Sequence, residues 1–469
     1  MQAIRHLVIK LTVALLLAAA PAFAQGPLSL PRTSPFTGGV PSGTASDQPI
    51  RLTIIDAVIR SLQHNLGVLL SEQNSHQLEG DRLVAMSRLL PNINASLTES
   101  RRKTNLEAFG FPLGPGFPRV VGPYNVFDAR VFLSQSVFDA EARNEASAAA
   151  HRVEAAKHSY QGARSLVMLA TANVYLQALA SDARAQAAQA QLESSQALHQ
   201  QAIDLRQGGI VAGIDVVRAE VRLSADRQRA TAASNDAQKA KLQLAHMIGL
   251  PLGQEFALAR DVPPIPDNNQ TLEQALDAAY KNRDDYLAAI ETQKAAESAK
   301  QAATGDRLPS VKVLADWGAI GLTPGTSLPT FNITGAVEVP IFEGRRQDGR
   351  IAQADAELKR RTAELENLKA TVYYDVRSAF LDLEASKQQN ETASRGRQLA
   401  EQQLQQSRDR FAAGVASNIE VLQAQEAVAL ATEQAISAEY GLAVAKALLA
   451  ESTGSAEETL MRIVKGSNP

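Results

Sequence analysis

The stretch RFAAGVASNIEVLQAQ, Arg410–Gln425, has a close counterpart much earlier in the chain, RQGGIVAGIDVVRAE, Arg206–Glu220. Each is a short glycine-containing break within a very long helical pattern. Each break is followed by a hydrophobic residue, an acid and a hydrophobic residue, Ile214-Asp215-Val216 in one and Ile419-Glu420-Val421 in the other. The chain therefore contains the same helix–turn–helix pattern twice.

The two stretches belong to a tandem duplication. An offset of 205 residues relates Ile214 to Ile419, and the same offset relates Gly209 to Gly414. Upstream the offset is 218 residues, as between Pro91 and Pro309. The extra residues of the first copy fall in the Gly/Pro-rich stretch 109–123, because insertions between repeats map to loops.

Each copy reads as a helix, two strands and two further helices. Apolar residues recur at helical spacing before Pro91, and alternate with polar residues after it. The predicted segments are a signal peptide at 1–24, an N-terminal linker at 25–49, a first repeat at 50–250, a linker at 251–270, a second repeat at 271–455 and a tail at 456–469. Predicted helices are 52–88, 139–206, 214–247, 271–305, 343–411 and 419–450, and predicted strands are 92–108, 125–137, 310–320 and 331–340.

The beginning of the chain predicts export. Arg5 and Lys10 precede an apolar run, Leu11–Ala20, and Ala22-Phe23-Ala24 is a small-x-small cleavage pattern. The alternative is an uncleaved signal anchor, but the short apolar run favours cleavage after Ala24. No other apolar run approaches the roughly 18 residues of a membrane-spanning helix. We therefore expect an exported chain without a transmembrane helix.

Composition excludes several classes of function. The chain has no cysteine, which removes disulfides, thiolate metal sites, a cysteine nucleophile and lipid attachment at a cysteine. A net charge of −3 gives no indication of nucleic-acid binding. No HExxH, P-loop or GxSxG pattern is present, and His151 and His158 lack a third ligand at metal-binding spacing. The sequence thus predicts neither an enzyme nor a cofactor or metal site.

The strand pattern indicates a membrane barrel. Alternating apolar and polar residues in strands of about ten residues are typical of outer-membrane barrels, which must close on themselves. A barrel needs about eight strands, and each chain supplies four. At least two chains, and more comfortably three, would therefore share one barrel. The alternative is a soluble four-stranded sheet beside a coiled coil. Trp317 lies in a predicted strand, either at the membrane interface or in ordinary packing.

These features together resemble the TolC family of outer-membrane efflux proteins. The resemblance covers about residues 50 to 455 and includes the duplication, strands that open after Leu-Pro, the VFDA and IFEG motifs before the long helices, and the two glycine-containing turns. It implies a mainly α fold with a small β part, in which tandem long α-hairpins form a trimeric α-barrel in the periplasm. Four strands per chain would contribute to a shared twelve-stranded β-barrel in the outer membrane. The loops 109–124 and 321–330 would face outward, and the chain would not be lipid-anchored.

The resemblance also implies that the glycine-containing turns are periplasmic tips that dock an adaptor protein. Gly209 and Gly414 fit turn positions that need a positive φ, whatever the function. The predicted docking residues are Gly208, Gly209, Ile210, Val211, Ala212, Gly213 and Ile214 in the first turn, and Phe411, Gly414, Val415, Ala416, Ser417, Asn418 and Ile419 in the second.

Two acids after the turns are candidates for a pore constriction. Asp215 and Glu420 either favour the helix N-terminus electrostatically or, in a trimer, form rings of three that select cations. The family usually has a second acid where this chain has Gln423, and a tyrosine that helps to lock the closed tip where this chain has Phe411. We therefore predict a weaker selectivity filter and a closed-state lock that uses other residues.

The resulting functional prediction is an outer-membrane exit duct of a tripartite efflux pump. Its partners would be two further copies of the chain, a periplasmic adaptor, an inner-membrane pump and outer-membrane lipid. The alternatives are the outer-membrane component of a type I protein secretion system, or a periplasmic coiled-coil adaptor. The sequence does not predict the transported substrate.

Overall fold

A computed structural model describes residues 34–110, 118–209, 211–260, 270–413, 415 and 417–458. The predicted signal peptide and parts of both linkers, of the first outward loop and of the tail lie outside these residues. The helices are α1 Ile54–His64, α2 Leu66–Ser87, α3 Ala140–Gln207, α4 Gly213–Met247, α5 Leu272–Asn282, α6 Asp284–Gly305, α7 Arg346–Ala412 and α8 Asn418–Ser452. The strands are β1 Ile50–Leu52, β2 Asn92–Asn105, β3 Val120–Phe138, β4 Phe256–Leu258, β5 Ser310–Gly321 and β6 Leu328–Glu338.

The equivalent helices of the two copies begin and end at equivalent residues. α2 and α6 both have 22 residues and are related by the offset of 218. α4 and α8 both have 35 residues and are related by the offset of 205. The mainly α fold with a small β part and the tandem repeat are therefore confirmed.

The predictions of single helices over 52–88 and 271–305 are wrong. Each region contains two helices, with the break at Asn65 in the first copy and at Arg283 in the second. Both residues have an extended backbone, and the Asn65 side chain accepts a hydrogen bond from Gly67 N, as an N-cap residue does. The break is thus part of the repeated unit.

The β hairpins also differ from prediction. β3 begins at Val120, so residues 120–124 of the predicted outward loop 109–124 are strand, whereas β2 ends at Asn105. The four long strands form one antiparallel sheet in the order β2-β3-β5-β6, and the β3–β5 pair joins the two copies.

One face of this sheet is apolar and exposed. Because directly paired residues lie on the same face, Ile93, Leu133, Ala315 and Ile333 form one row across the four strands. The exposed Trp317 lies in the next row. The opposite face is polar, with ion pairs from Arg130 to Asp128 at 2.5 Å and to Asp316 at 3.3 Å. The alternation predicted from the sequence is therefore present in the sheet.

The chain forms two compact units, each with its own core. Within the described residues, the first combines 34–61 with Leu169–Val262 and Gln389–Val444, and the second combines Leu62–Met168, Pro263–Gln388 and 445–458. In the first unit the buried Tyr175 hydroxyl lies 2.9 Å from Leu52 O and 2.8 Å from Ala259 O, and burial raises its pKa to about 12. In the second unit Ala275, Ala279, Val372 and Val376 form a buried cluster.

No helix within the described part of the chain is both long enough and apolar enough to cross a membrane. This finding agrees with the absence of a second long apolar run in the sequence.

Gly454 and Gly209 allow a matched test of packing at two turns. Both have a positive φ, +71° and +75°, which costs a side chain about 1 kcal/mol or more. A Cβ at Gly454 would lie 2.7 Å from the Asn282 carbonyl carbon, whereas a Cβ at Gly209 would meet no atom within 4 Å. We expect Gly454→Ala to lower the melting temperature by at least twice as much as Gly209→Ala. Equal shifts by circular dichroism would show that the close approach at Gly454 relaxes without cost.

Candidate functional site: the helical tips and the polar clasp

The first turn connects α3 to α4. Gly208 N–H and Gly209 N–H donate to Asp204 O and Arg206 O, both at 3.0 Å, so the helix closes with Gly209 in the left-handed region. Ile210 lies outside the described residues. Asp215 N–H donates to Ala212 O at 3.0 Å, which starts the return helix. The positive φ expected at Gly209 is confirmed.

The second turn connects α7 to α8. Val415 N–H donates to Arg410 O at 3.0 Å, and Glu420 N–H donates to Ser417 O at 3.1 Å. Gly414 and Ala416 lie outside the described residues, so the expected conformation of Gly414 stays a prediction. Asn418 is the first residue of α8.

Several predicted docking residues expose apolar surface. Ile214 is 54% exposed, Val415 68% and Ile419 41%, whereas the neighbouring Val216 and Val421 are buried. Val211, Gly213 and Phe411 are half-buried, and Ala212 and Ser417 are exposed. The tips therefore expose an apolar surface that a partner can contact. The buried valines beside them pack within the chain.

The two candidate constriction acids are each paired with an arginine. Asp215 lies 3.3 Å from Arg218 one turn along α4, and Glu420 lies 3.4 Å from Arg410 across the second turn. Gln423 is exposed and carries no charge. Exposed ion pairs contribute only about 0–1 kcal/mol to stability, so their main effect here is on the local charge.

A set of polar side chains joins the helices above the turns, and we call it the polar clasp. Its members are Ser194 and Ser195 on α3, Arg222, Asp226 and Arg229 on α4, Arg408 on α7, and Gln425 and Glu426 on α8. Their contacts connect all four helices of the two hairpins within the first unit.

The charged half of the polar clasp surrounds a buried carboxylate. Asp226 is 1% exposed and accepts hydrogen bonds from Arg222 Nε at 2.8 Å and from Ser195 Oγ. Arg222 and Arg229 also donate to Glu426, Arg229 at 3.2 Å. Burial alone would raise the pKa of Glu426, but hydrogen bonds from the two arginines outweigh it and lower that pKa. This half therefore holds α4 against α8, and its two arginines favour the ionised form of Glu426.

The neutral half of the polar clasp is centred on Ser194. Its Oγ accepts hydrogen bonds from Arg408 Nη2 at 2.8 Å and from Gln425 Nε2 at 3.0 Å. Gln425 is fully buried, and its Oε1 has no hydrogen-bond partner. A buried oxygen without a hydrogen-bond partner raises the free energy of the packed helices. Separating the helices at this point therefore costs less free energy than separating a fully hydrogen-bonded contact.

The sequence carries a signal for the polar clasp in the differences between its two copies. The second-copy counterparts of Arg222 and Asp226 are Ala427 and Ala431, and the first-copy counterpart of Glu426 is Val221. A comparison of the two copies for positions that are charged in one and apolar in the other would have singled out these residues.

His151 and His158, which the sequence did not assign to a metal site, each contact one carboxylate. Among the described residues no group of three or more His, Asp or Glu side chains is arranged to hold a metal ion.

Solved structures share this fold over nearly the whole chain. The outer membrane channel CmeC of Campylobacter jejuni is 18% identical, covers 94% of this chain and 97% of its own length, and has a TM-score of 0.73. The outer membrane protein VceC of Vibrio cholerae is 17% identical, with coverages of 86% and 96% and a TM-score of 0.72. The MtrE outer membrane channel of Neisseria gonorrhoeae, described in its open state, is 16% identical, with coverages of 92% and 98% and a TM-score of 0.70.

No curated protein matches the sequence. The model of the family described as "Outer membrane efflux protein" matches residues 59–250 and 275–455, one segment for each copy. This match confirms the resemblance inferred from the duplication and the turns. The chain belongs to the outer membrane efflux protein family, whose members are channels and not enzymes.

Proposed function

We propose that the chain is the exit duct of a tripartite efflux pump, which passes small molecules from an inner-membrane transporter and a periplasmic adaptor to the outside. The observation that carries the proposal is the duplicated hairpin, which ends in exposed apolar turns, together with a sheet that has one apolar face. A duct needs both kinds of surface, one that contacts lipid and one that contacts a partner protein.

In this proposal three copies of the chain share one barrel. Within the described residues the sheet ends at β2 and β6, and lipid offers no hydrogen-bond partner for an open sheet edge. Three copies would supply twelve strands, an even number in the range of known outer-membrane barrels. The apolar row through Ile93 and Ile333 would face lipid, and the helices would lie in the periplasm without a lipid anchor.

The adaptor would dock on the apolar side chains of the tips. Ile214 continues into an exposed apolar stripe on α4 with Val217 and Val221, spaced as on one helix face. Val415 and Ile419 supply the equivalent surface at the second turn. Helical hairpin tips of an adaptor could bury this surface between neighbouring turns.

The mouth of the duct would be close to neutral, because Arg410 and Arg218 compensate Glu420 and Asp215. We expect Glu420→Ala to leave one uncompensated arginine per chain and to shift ion selectivity towards anions. We expect Arg410→Ala to shift it towards cations, since the acid is then unpaired. The measurement is the reversal potential of the purified protein in a planar bilayer with a KCl gradient.

Gln423→Ala is the matched control, since it changes an exposed side chain on the same helix without changing charge. Its reversal potential should equal that of the unmodified chain. Equal reversal potentials for Glu420→Ala and Arg410→Ala would show that these residues do not lie along the conduction path. Failure of the purified protein to form any conducting pore would overturn the proposed duct itself.

A further inference from the structure

The end of the first β hairpin that lies away from the helices is basic. Strand β2 follows α2 and β3 leads into α3, so both helices join the hairpin at its other end. Residues 99–125 contain four basic and two acidic residues, which gives +2, within a chain of net charge −3. Residues 317–337, which include the corresponding ends of β5 and β6, contain no charged residue. The positive charge at this end of the sheet therefore comes from the first hairpin, through Arg101, Arg102, Lys103 and Arg119.

Arg101 and Lys103 lie on the apolar face of the sheet. Successive side chains of a strand point to opposite faces, so both residues share the face of the exposed Leu97 on β2. The register shift after Arg102 spans two residues of β2 and three of β3, so the extra residue belongs to β3 and the alternation of β2 continues. Arg102 lies on the opposite, polar face, where its Nε donates to Ser100 Oγ at 3.0 Å.

These two cations lie just beyond the apolar part of that face. On β5 every residue of this face from Val311 to Gly321 is uncharged. This distance is about 33 Å along the strand and about 25 Å across a membrane at the usual strand tilt, which is the height of the apolar band of an outer-membrane barrel. Gly321 pairs with Phe127 of β3, which pairs with Glu99 of β2. Arg101 lies one pair further out, at the level of the lipid headgroups.

The charges of Arg101 and Lys103 are available to a ligand. Both side chains are exposed, and within the described ranges neither forms an ion pair. Glu99 offsets at most one of the two charges, which leaves this part of the face cationic. Asn125 is exposed and pairs with Arg101 across the two strands, so its amide adds a hydrogen-bond donor beside the guanidinium. The three donors therefore lie together on one face, directly outside the apolar band.

This arrangement favours a lipid with an anionic headgroup. Cations at the edge of a membrane attract anionic lipids electrostatically. A phosphate group accepts several charge-assisted hydrogen bonds, which an arginine, a lysine and an amide can donate together. The acyl chains of the same lipid would lie on the adjoining apolar face, where Leu97 and Trp317 are exposed. One lipid molecule would thus match both the apolar face and the basic residues beyond it.

We propose that Arg101, Lys103 and Asn125 bind the phosphate group of an anionic lipid in the outward leaflet of the outer membrane. The inference rests on the proposed duct, because it requires the apolar face of the sheet to contact lipid. It deepens that proposal by assigning the class of lipid that the first hairpin recognises. The hairpin of the second copy has no such site, since the outward ends of β5 and β6 carry no charged residue.

Lipid A, a glycolipid that carries phosphate monoesters, is the probe for this site. The full chain, purified in a nonionic detergent, is titrated against fluorescently labelled lipid A, and binding is followed by anisotropy. Each cation near an anionic headgroup contributes about fivefold in affinity, so Arg101→Gln/Lys103→Gln should weaken binding roughly 25-fold. At about 1 M salt, which screens exposed charges, the unmodified chain should bind as weakly as this variant. Zwitterionic phosphatidylcholine should bind both proteins equally.

Arg102→Gln/Arg119→Gln is the matched control. It removes the same two charges from the same hairpin, but Arg102 lies on the polar face and Arg119 lies 3.8 Å from Glu107. We expect this variant to bind lipid A within about threefold of the unmodified chain, because charges away from the headgroup are screened at physiological salt. The ratio between the two double variants therefore measures the face and not the net charge.

Three results would contradict the inference. Equal losses in the two double variants would mean that lipid A is attracted by the net charge of the hairpin. Complete displacement of lipid A by inorganic phosphate at equal ionic strength would mean that the site binds a free anion and not a lipid. A chain that conducts in phosphatidylcholine bilayers but does not prefer lipid A would overturn the inference and leave the proposed duct intact. A chain that inserts into no bilayer would overturn both.

Discussion

Replacing Arg222 by methionine is expected to loosen the helical tips and to raise single-channel conductance in bilayers. Arg222 is 14% exposed and joins the buried Asp226 to Glu426 on the neighbouring hairpin. Removing one partner leaves a buried carboxylate with reduced compensation, which costs about 3 kcal/mol or more. Because this loss falls on contacts between hairpins, the tips should separate before the helices unfold.

Arg218→Met is the matched control for this prediction. Arg218 lies one turn earlier on α4, and among the described residues its one ion pair is with Asp215 on the same helix, where both side chains are partly exposed. Pairs of this kind contribute about 0.5 kcal/mol or less. Protease cleavage at the tips should therefore stay slow in Arg218→Met, and any change in its conductance should come from the uncompensated charge of Asp215 and disappear at high salt. Equal protease cleavage, together with equal conductance at high salt, in the two variants would show that the polar clasp does not hold the tips.

The polar clasp should also resist acid. The pKa of Glu426 is lowered in the folded chain, because the arginines outweigh the effect of burial. A lowered carboxyl pKa contributes stability above the unfolded value of 4.5, and this stability is lost as the pH falls through the lower folded value. Conductance of the unmodified chain should therefore stay constant from about pH 8 to 5 and rise only once the pH has fallen below the unfolded value of 4.5.

The duplication made much of the fold predictable from the sequence. Two copies with the same breaks and the same alternation restrict the possible arrangements far more than one copy does. The breaks at Asn65 and Arg283 escaped prediction, because apolar residues keep their helical spacing through both positions. The sequence predicts a later start for strand β3, since Gly122-Pro123 is a turn signal.

The candidate site was only partly predictable. Turn glycines and the acids after them follow from local rules, because they depend on neighbours in sequence. The partners of those acids, Arg410 and Arg218, and the polar clasp depend on which helices meet. The sequence pattern alone does not distinguish Arg222 from an arginine on a solvated helix face. Only its contact with Asp226 and Glu426 distinguishes it.

Arg283→Met is expected to destabilise the second unit more than any surface substitution. Arg283 is buried at the junction of α5 and α6, where its guanidinium binds Asp285 at 2.7 and 3.0 Å and Asp375 at 3.0 Å. Glu451 of α8 lies in the same cluster. Burial raises the pKa of Glu451, Arg283 lowers it, and the two aspartates raise it further. One arginine thus compensates three carboxylates.

The loss in Arg283→Met should depend on pH. With the arginine removed, Glu451 loses the neighbour that lowers its pKa and keeps the two aspartates that raise it, so its folded pKa rises further above the unfolded value of 4.5. A raised carboxyl pKa contributes stability below the unfolded value, and this stability is lost as the pH rises through the folded value. The two aspartates are half-exposed, so we expect a loss of about 3 kcal/mol at pH 8 and a clearly smaller loss at pH 4.5.

Thermal melting of Arg283→Met at the two pH values measures this dependence, and Glu451→Gln provides an independent check. The double variant Arg283→Met/Glu451→Gln removes the repulsive charge and should recover part of the lost stability at pH 8. Arg307→Met is the control, since Arg307 pairs with Asp348 where both side chains are about half exposed. The same loss at both pH values, without recovery in the double variant, would mean that Arg283 acts through packing of its side chain and not through charge.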